Sequence, residues 1–205
     1  KPVCLVIGAG AGIGGTVGTK FASEGYHAVL CRRSAQVGPD RLVDGIKSAG
    51  GAATGFLLNA VDDDAIEDCI ANVEQNVGPI EVVIYNLGAQ IGDRPLEDTS
   101  YKAFEMGWRL ATFGLFRLAK SVCPIMEARG SGKIIVTSAT AAVRGNRGQH
   151  SHELRGQRAT TSPTIIQYQL KTTNTAKGHR ICNQMGLKRR HTLFTQLGKQ
   201  FTMRG

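Results

Sequence analysis

The chain has 205 residues, of which 41% are apolar, and this is enough to build one domain around a substantial core. The net charge of +9 would suit an acidic partner such as nucleic acid, but acidic and basic residues balance over residues 1–150 and the excess lies in residues 151–205. No apolar run reaches the roughly 18 residues of a membrane span, and five scattered cysteines without a C-x-x-C pair indicate reduced thiols, so we expect a cytoplasmic protein without membrane contact.

Short β-branched runs alternate with helical periods over the first three-quarters of the chain. Five of these runs are predicted to be buried strands: Val3–Ile7, His27–Cys31, Ala53–Leu58, Ile80–Tyr85 and Lys133–Thr137. Apolar residues at helical spacing predict a helix from Ile66 to Val77 and a longer helical pattern from Ser100 to Ala128. This alternation predicts an α/β fold with a parallel sheet that carries helices on both faces.

The alternation ends after Ser151. Beyond it, the composition predicts only one strand, Thr164–Leu170, and a weak helix near His191–Phe201. Apolar residues are sparse there, so the segment can bury little surface to offset its ordering entropy. We therefore expect residues 153–205 to form a basic, irregular segment and the sheet to be incomplete at its C-terminal end.

A glycine-rich turn follows the first strand and opens a helix. Gly8 permits a tight turn, Gly12 lets the backbone approach a pyrophosphate, and Gly14 allows close packing of the helix. The helix N-terminus offers N–H groups and a positive dipole to phosphate. The alternative is a glycine-rich turn without a ligand. The predicted contacts to a dinucleotide are Gly8, Gly10, Ala11, Gly12, Ile13 and Gly14.

The G-x-x-x-G-x-G spacing and three later segments resemble the short-chain dehydrogenase/reductase family. Tyr85-Asn86-Leu87-Gly88 resembles its N-N-A-G motif, residues 132–139 resemble G-x-I-V-x-x-S-S, and residues 123–126 resemble its P-x-M. The resemblance implies a Rossmann-like, doubly wound dinucleotide-binding domain over residues 1–152, with Asn86 and Gly88 near the cofactor.

The residues after the second and third strands bear on which nicotinamide cofactor is bound. The resemblance implies an acid after Cys31 in proteins that bind NAD, but Arg32 and Arg33 stand there. The planar cation of Arg32 suits a 2′-phosphate, which favours NADP over NAD, although arginines are also common on surfaces. Asn59-Ala60 aligns with the D-V pair that borders adenine in the family, and an amide still donates and accepts hydrogen bonds.

The resemblance implies a catalytic set of Asn, Ser, Tyr and Lys, and none stands in its aligned place. Those places hold Ala111, Ala139, His152 and Gly156. One explanation is substitution, with His152 exchanging a proton near neutral pH and Ser138 or Thr140 supplying a hydroxyl. Both residues also have a non-catalytic interpretation: His152 as a solvent-facing loop histidine, and Ser138 as a strand-end hydroxyl bonded to the backbone. The other explanation is that a shifted reading frame, alternative splicing or a misannotated exon junction has replaced the sequence after His152.

The resemblance implies an NADP-dependent oxidoreductase that moves hydride between the nicotinamide and a carbonyl or alcohol substrate. The alternative is a catalytically inactive NADP-binding protein or a defective isoform. The family assembles through its long helix, which predicts a homodimer or homotetramer through helix 100–128. The basic tail does not favour nucleic acid, because its charges are scattered except at Lys188-Arg189-Arg190. No metal site is predicted.

Overall fold

The elements alternate between strand and helix over most of the chain. The structure is a computed structural model, and it describes residues 1–33, 38–87, 96–138 and 165–169. The strands are β1 Val3–Ile7, β2 His27–Arg32, β3 Ala52–Leu57, β4 Ile80–Tyr85, β5 Lys133–Thr137 and β6 Ile165–Gln169. The α-helices are α1 Ile13–Ser23, α2 Gly38–Ser48, α3 Ala65–Asn76, α4 Tyr101–Trp108 and α5 Gly114–Arg129. A 3₁₀ turn spans Leu96–Asp98, and a π-helical turn spans Arg109–Phe113.

The five strands predicted before residue 140 are confirmed, each within one residue of its expected bounds. They lie in the order β3-β2-β1-β4-β5 and are all parallel. Because the strand order reverses between β1 and β4, a crevice opens at the carboxyl ends of these two strands. That edge of the sheet, called the carboxyl edge below, is where an α/β protein of this topology binds ligands.

The sixth strand adds an antiparallel edge to the five parallel strands. The strand expected at Thr164–Leu170 is present as β6, but it pairs with β5 in the antiparallel direction, with Ile165 opposite Thr137. An antiparallel edge strand on an otherwise parallel sheet is a common arrangement, because an edge strand has a neighbour on one side only. The helix predicted near His191–Phe201 lies outside the described residues.

Two apolar layers cover the faces of the sheet, as the alternation predicted. On one face the helical stripes of α3 and α5 are buried against the strands: Ile66, Cys69, Ile70, Val73, Leu118, Val122 and Met126. On the other face α1 and α2 pack with Phe21, Ala22 and Ile46. The helix α2 was not predicted, because its sequence contains glycine and proline that weaken a helical pattern.

The long helical pattern from Ser100 to Ala128 is interrupted in the structure. Ser100 caps α4 by accepting a hydrogen bond from the Ala103 amide at 3.2 Å, and the π-helical turn then separates α4 from α5. A π turn inserts an extra residue and shifts the phase of the apolar stripe. Phe104, Trp108 and Phe116 are partly or largely exposed, although the pattern placed them on the apolar stripe.

Four of the five cysteines lie in the described residues. Cys4, Cys31, Cys69 and Cys123 are free thiols, and the Sγ atoms of Cys31 and Cys69 lie 3.6 Å apart. In the described part of the chain, no helix is long and apolar enough to cross a membrane.

Candidate cofactor and active site

The glycine loop is anchored to the neighbouring strands by backbone hydrogen bonds. The amides of Gly8 and Ala9 both donate to the carbonyl oxygen of Cys31, each at 2.9 Å. Gly8 has φ +94°, and a side chain there would approach the carbonyl oxygen of Asn86 to 2.9 Å. A side chain at Gly14 would overlap the carbonyl oxygen of Gly8. Only glycine therefore allows the loop to fold back onto the first turn of α1.

The loop leaves the N-terminus of α1 open to solvent. The helix begins at Ile13 after the cap residue Gly12, which makes no side-chain capping bond, and its first turn contains no acidic residue. Ala11, Gly12 and Ile13 are exposed, and a side chain at Gly10 or Gly12 would meet no atom within 4 Å. The N–H groups at the start of a helix have no intrahelical acceptors and carry the positive end of its dipole. This end of α1 is suited to an anion.

Arg32 and Arg33 follow at the carboxyl end of β2. Arg32 is half-buried, Arg33 is exposed, and the carbonyl oxygen of Arg32 accepts a hydrogen bond from the Leu58 amide at 2.9 Å. Among the residues that the structure describes, neither guanidinium takes part in an ion pair or a hydrogen bond. Both cations are therefore available at the edge that carries the glycine loop.

The turn after β3 is connected to Arg32 by the hydrogen bond from the Leu58 amide to the Arg32 carbonyl oxygen. In this turn Asn59 donates from Nδ2 to Oδ1 of Asp62 at 2.7 Å, and the Asp62 amide donates to the carbonyl oxygen of Asn59 at 3.0 Å. Ala60 is buried beneath them. The predicted adenine-bordering pair, Asn59-Ala60, thus lies at the carboxyl edge next to the arginines.

Asn86 joins the end of β4 to the glycine loop. Its amide donates to the carbonyl oxygen of Ile7 at 2.8 Å, and its Nδ2 donates to the carbonyl oxygen of Gly8 at 3.0 Å. The structure therefore brings Asn86 together with the loop, and its contact with a cofactor stays a prediction. Gly88 lies outside the described residues.

The π-helical turn of the long helix contains Ala111, in the place where the family resemblance implies asparagine. Ala111 is buried, and its methyl group forms no hydrogen bond. The hydroxyl of Tyr85, which is 1% exposed, donates to the carbonyl oxygen of Leu110 within this turn. A side chain at Gly114 would overlap that hydroxyl. This contact was not predicted from the sequence, although a tyrosine at the end of an apolar strand was a signal for it.

Of the two predicted catalytic residues, Ser138 and His152, only Ser138 is among the described residues. Ser138 lies just after β5, is 9% exposed, and its Oγ has no hydrogen-bond partner among the described residues. His152 lies outside the described residues, as do Ala139, Thr140 and Gly156. The structure therefore places the Ser138 hydroxyl at the carboxyl edge, and the pairing of Ser138 with His152 stays a prediction.

Fold and site together define an α/β protein of the Rossmann type, with the exposed N-terminus of α1 at the switch point of its sheet. The family profile described as short chain dehydrogenase matches residues 2–151. The chain belongs to the short-chain dehydrogenase/reductase family.

Individual relatives agree with this assignment. Gluconate 5-dehydrogenase of Gluconobacter oxydans is 34% identical over 131 residues, which cover 64% of this chain and 50% of that enzyme. The crystal structure of gluconate 5-dehydrogenase from Burkholderia cenocepacia, in complex with NADP and tartrate, matches with a TM-score of 0.69 and 25% identity over 76% of this chain and 61% of the other. A 7α-hydroxysteroid dehydrogenase complexed with NADH matches with a TM-score of 0.70 and 26% identity over 75% of this chain and 59% of the other. The chain spans about half the length of the curated relatives it matches.

Proposed function

We propose that this chain is an NADP-dependent oxidoreductase of the short-chain type, which transfers hydride between the nicotinamide and a small carbonyl or alcohol substrate. Its membership of the family supports the reaction class. One relative's structure contains NADP and another's contains NADH, so family membership alone does not distinguish the two cofactors. The preference for NADP rests on the residues of this chain.

The open N-terminus of α1 is the observation that carries the proposal, together with Arg32 and Arg33, which have no ion pair or hydrogen bond from their guanidinium groups among the described residues. The glycine loop exposes the helix end to a pyrophosphate, and Arg32 presents a planar cation at the end of the neighbouring strand. NADP differs from NAD by a 2′-phosphate on the adenosine ribose. A bidentate pair between this phosphate and a guanidinium is the contact that would separate the two cofactors.

Turnover is tested by following the absorbance of the reduced nicotinamide. The whole chain is mixed with NADPH and a panel of aldehydes, ketones and sugar acids, and in the reverse direction with NADP and the matching alcohols. Consumption of NADPH with at least one substrate, faster than that of NADH, is the expected result. Binding of NADPH without turnover on any substrate would contradict the oxidoreductase and favour the second candidate.

The second candidate is an NADP-binding protein without catalysis, acting as a cofactor sensor, a partner subunit or a defective isoform. The buried methyl group of Ala111 favours it, because the family's asparagine side chain is replaced by a group that forms no hydrogen bond. In the first candidate, His152 and Ser138 would supply the proton transfer and the hydrogen bond to the substrate oxygen. Replacing His152 by Gln separates the two, since only an active enzyme has turnover to lose.

We also propose that residues 1–152 form the dinucleotide-binding domain and that the basic segment 153–205, although its strand β6 pairs with β5, departs from the family's sequence. The family profile ends at residue 151, and the excess of positive charge begins at the same point. A reading-frame shift or an alternative exon junction accounts for such a change. Sequencing the transcript across the codons for residues 150–158 tests it, and an uninterrupted frame over matching genomic exons would reject it.

Self-association through helix 100–128 is proposed on the same basis. The aromatic rings of Trp108, Phe113 and Phe116 stack on one another and are 37–60% exposed, so a second copy of the chain would bury them. Light scattering of the purified chain is expected to give a dimer or tetramer that Phe116→Asp shifts towards the monomer. A monomeric wild type would contradict this.

A further inference from the structure

Two arginines of α5 reach across to two glutamates of α3, and each also binds a backbone carbonyl. Arg129 donates from Nη2 to Oε2 of Glu74 at 2.6 Å and from Nη1 to the carbonyl oxygen of Ile80 at 3.0 Å. Arg117 donates from Nη2 and Nε to the two carboxylate oxygens of Glu67, at 2.5 and 2.9 Å, and from Nη1 to the carbonyl oxygen of Asp62 at 2.9 Å. We call these contacts the Arg129 clamp and the Arg117 clamp.

The two clamps lie at opposite edges of the sheet. Ile80 is the first residue of β4, so the Arg129 clamp is at the amino edge, far from the glycine loop. Asp62 lies in the turn after β3, so the Arg117 clamp is at the carboxyl edge. Both clamps join α3 to α5. Only the Arg117 clamp also binds a segment that borders the candidate cofactor site.

In the Arg117 clamp, each of the three guanidinium nitrogens donates a hydrogen bond. The Arg117 side chain is only 11% exposed, and its planar fork meets both oxygens of Glu67 while a third nitrogen binds the Asp62 carbonyl. A lysine ammonium is a point charge on a flexible stem and does not present this fork. The clamp is thus specific for arginine in geometry as well as charge.

The turn that Arg117 grips is held in an unfavourable backbone conformation. Asp64, at its end, has φ +59°, and it is the only described residue other than glycine with a positive φ. A non-glycine residue stays in this region where surrounding contacts determine its position. Besides Arg117, those contacts include the Asn59 side chain on Asp62 and the bond from the Asp68 amide to the Asp64 carbonyl.

The position of this turn relative to Arg32 indicates which part of the cofactor it faces. In the proposed function Arg32 binds the 2′-phosphate of the adenosine ribose at the end of β2. The adenine base is bonded to the same ribose, and the next strand along the edge is β3, whose turn is joined to Arg32 through the Leu58 amide. The base therefore reaches the segment from Asn59 to Asp64.

We infer that Arg117, from a helix that lies outside the nucleotide pocket, is a positioning residue that sets the turn of residues 59–64 against the adenine base of the cofactor. The inference rests on the proposed function, since it needs a nucleotide at this edge. It assigns to the Arg117 clamp a role in affinity that the Arg129 clamp does not have.

Calorimetry on the full chain compares the wild type with Arg117→Lys and with the matched control Arg129→Lys. The probes are adenosine 2′,5′-bisphosphate, which carries the base, and inorganic pyrophosphate, which occupies only the glycine loop. Arg117→Lys is expected to weaken the bisphosphate about tenfold and to leave pyrophosphate unchanged, because it loses charge-assisted hydrogen bonds that place the turn. Arg129→Lys is expected to leave both probes within twofold of the wild type.

Thermal unfolding separates this role from a merely structural one. Both lysine variants loosen the packing of α3 on α5, so we expect similar drops in the melting temperature. Only Arg117→Lys is expected to lose affinity for the bisphosphate. Glu67→Gln provides a second variant, which is expected to weaken the bisphosphate in the same direction. Equal affinity of wild type and Arg117→Lys, or an equal loss in Arg129→Lys, would overturn the inference. A wild type that binds neither the bisphosphate nor NADPH would instead overturn the proposed function.

Discussion

The carboxyl edge of the sheet has two halves, which differ in how many of the features implied by the family resemblance they retain. The nucleotide half comprises the glycine loop Gly8–Gly14, Arg32 and the turn of residues 59–64. There the backbone bonds and the open helix end fit the family's cofactor chemistry. The catalytic half comprises the π-helical turn and the end of β5. There Ala111 replaces the expected asparagine, and Ser138 is a buried hydroxyl without a partner among the described residues.

The comparison teaches that binding and chemistry depend on different parts of the polypeptide. The nucleotide half is built from glycines, backbone amides and a helix end, so most side-chain changes around it leave it intact. The chemistry of such a site depends on a few side-chain functional groups, and one substitution removes each of them. Within the π-helical turn, the Leu110 carbonyl accepts a hydrogen bond from the Tyr85 hydroxyl.

The largest effect is expected from a methyl group in the glycine loop. In Gly14→Ala the new Cβ overlaps the Gly8 carbonyl and pushes the loop off α1, so NADPH affinity should fall about hundredfold. Gly45→Ala in α2 is the matched control, because its Cβ meets no atom within 4 Å. The control should bind NADPH normally and be more stable by about 0.5–1 kcal/mol. Titration and urea unfolding measure both effects, and normal binding by Gly14→Ala would break the account of the nucleotide half.

The next effect concerns the choice between the two cofactors. Arg32→Ala removes the cation proposed for the 2′-phosphate, so affinity for NADPH should fall about thirtyfold while affinity for NADH stays the same. Arg41→Ala, an exposed arginine of α2, should change neither. Fluorescence titration of the reduced nicotinamides gives the ratio of the two affinities. A parallel loss for both cofactors would mean that Arg32 does not distinguish them.

A smaller effect is expected when the catalytic half is perturbed alone. Tyr85→Phe leaves the Leu110 carbonyl without its donor inside the protein, which should cost about 1–2 kcal/mol of unfolding free energy. NADPH affinity should stay within twofold, since the nucleotide half is untouched. Tyr101→Phe, at a residue that is 95% exposed, should change stability by less than about 0.5 kcal/mol. Loss of NADPH binding in Tyr85→Phe would show that the halves are not independent.

The smallest effect is a dependence of stability on pH at the Arg117 clamp. The hydrogen bond from Arg117 lowers the pKa of Glu67 below its ordinary 4.5, with a lesser contribution from Lys120, and Asp63 and Asp64 face the same arginine. The folded protein therefore binds the Glu67 proton less readily than the unfolded chain, and this contribution to stability is present above the unfolded pKa. It is lost as the pH falls through the lowered pKa.

Urea unfolding at neutral pH and below pH 4.5 measures this contribution. The wild type should lose up to about 1 kcal/mol more than Glu67→Gln over that interval, because an ion pair near the surface is worth little. Identical pH profiles for the two proteins would contradict a role for the ion pair.

The sequence predicted the positions of the glycine loop and of the strand ends in the nucleotide half, because their signals are local. Glycines after a β-branched run, and arginines at the end of the next strand, are read without knowing tertiary contacts. The catalytic half was predicted less well, because its contacts join distant segments. The bond from Tyr85 to Leu110 spans 25 residues and the Arg117 clamp spans 50 to 55, and neither has a local pattern. The break in the long helix was missed because its apolar spacing fits an uninterrupted helix.

The central claim is that the nucleotide half is a working NADP site. Calorimetric titration of the whole chain with NADPH and with NADH tests it most directly. We predict binding of one NADPH per chain, about tenfold tighter than NADH or more, because the guanidinium of Arg32 favours the additional phosphate. Absence of NADPH binding, or tighter binding of NADH, would contradict the claim.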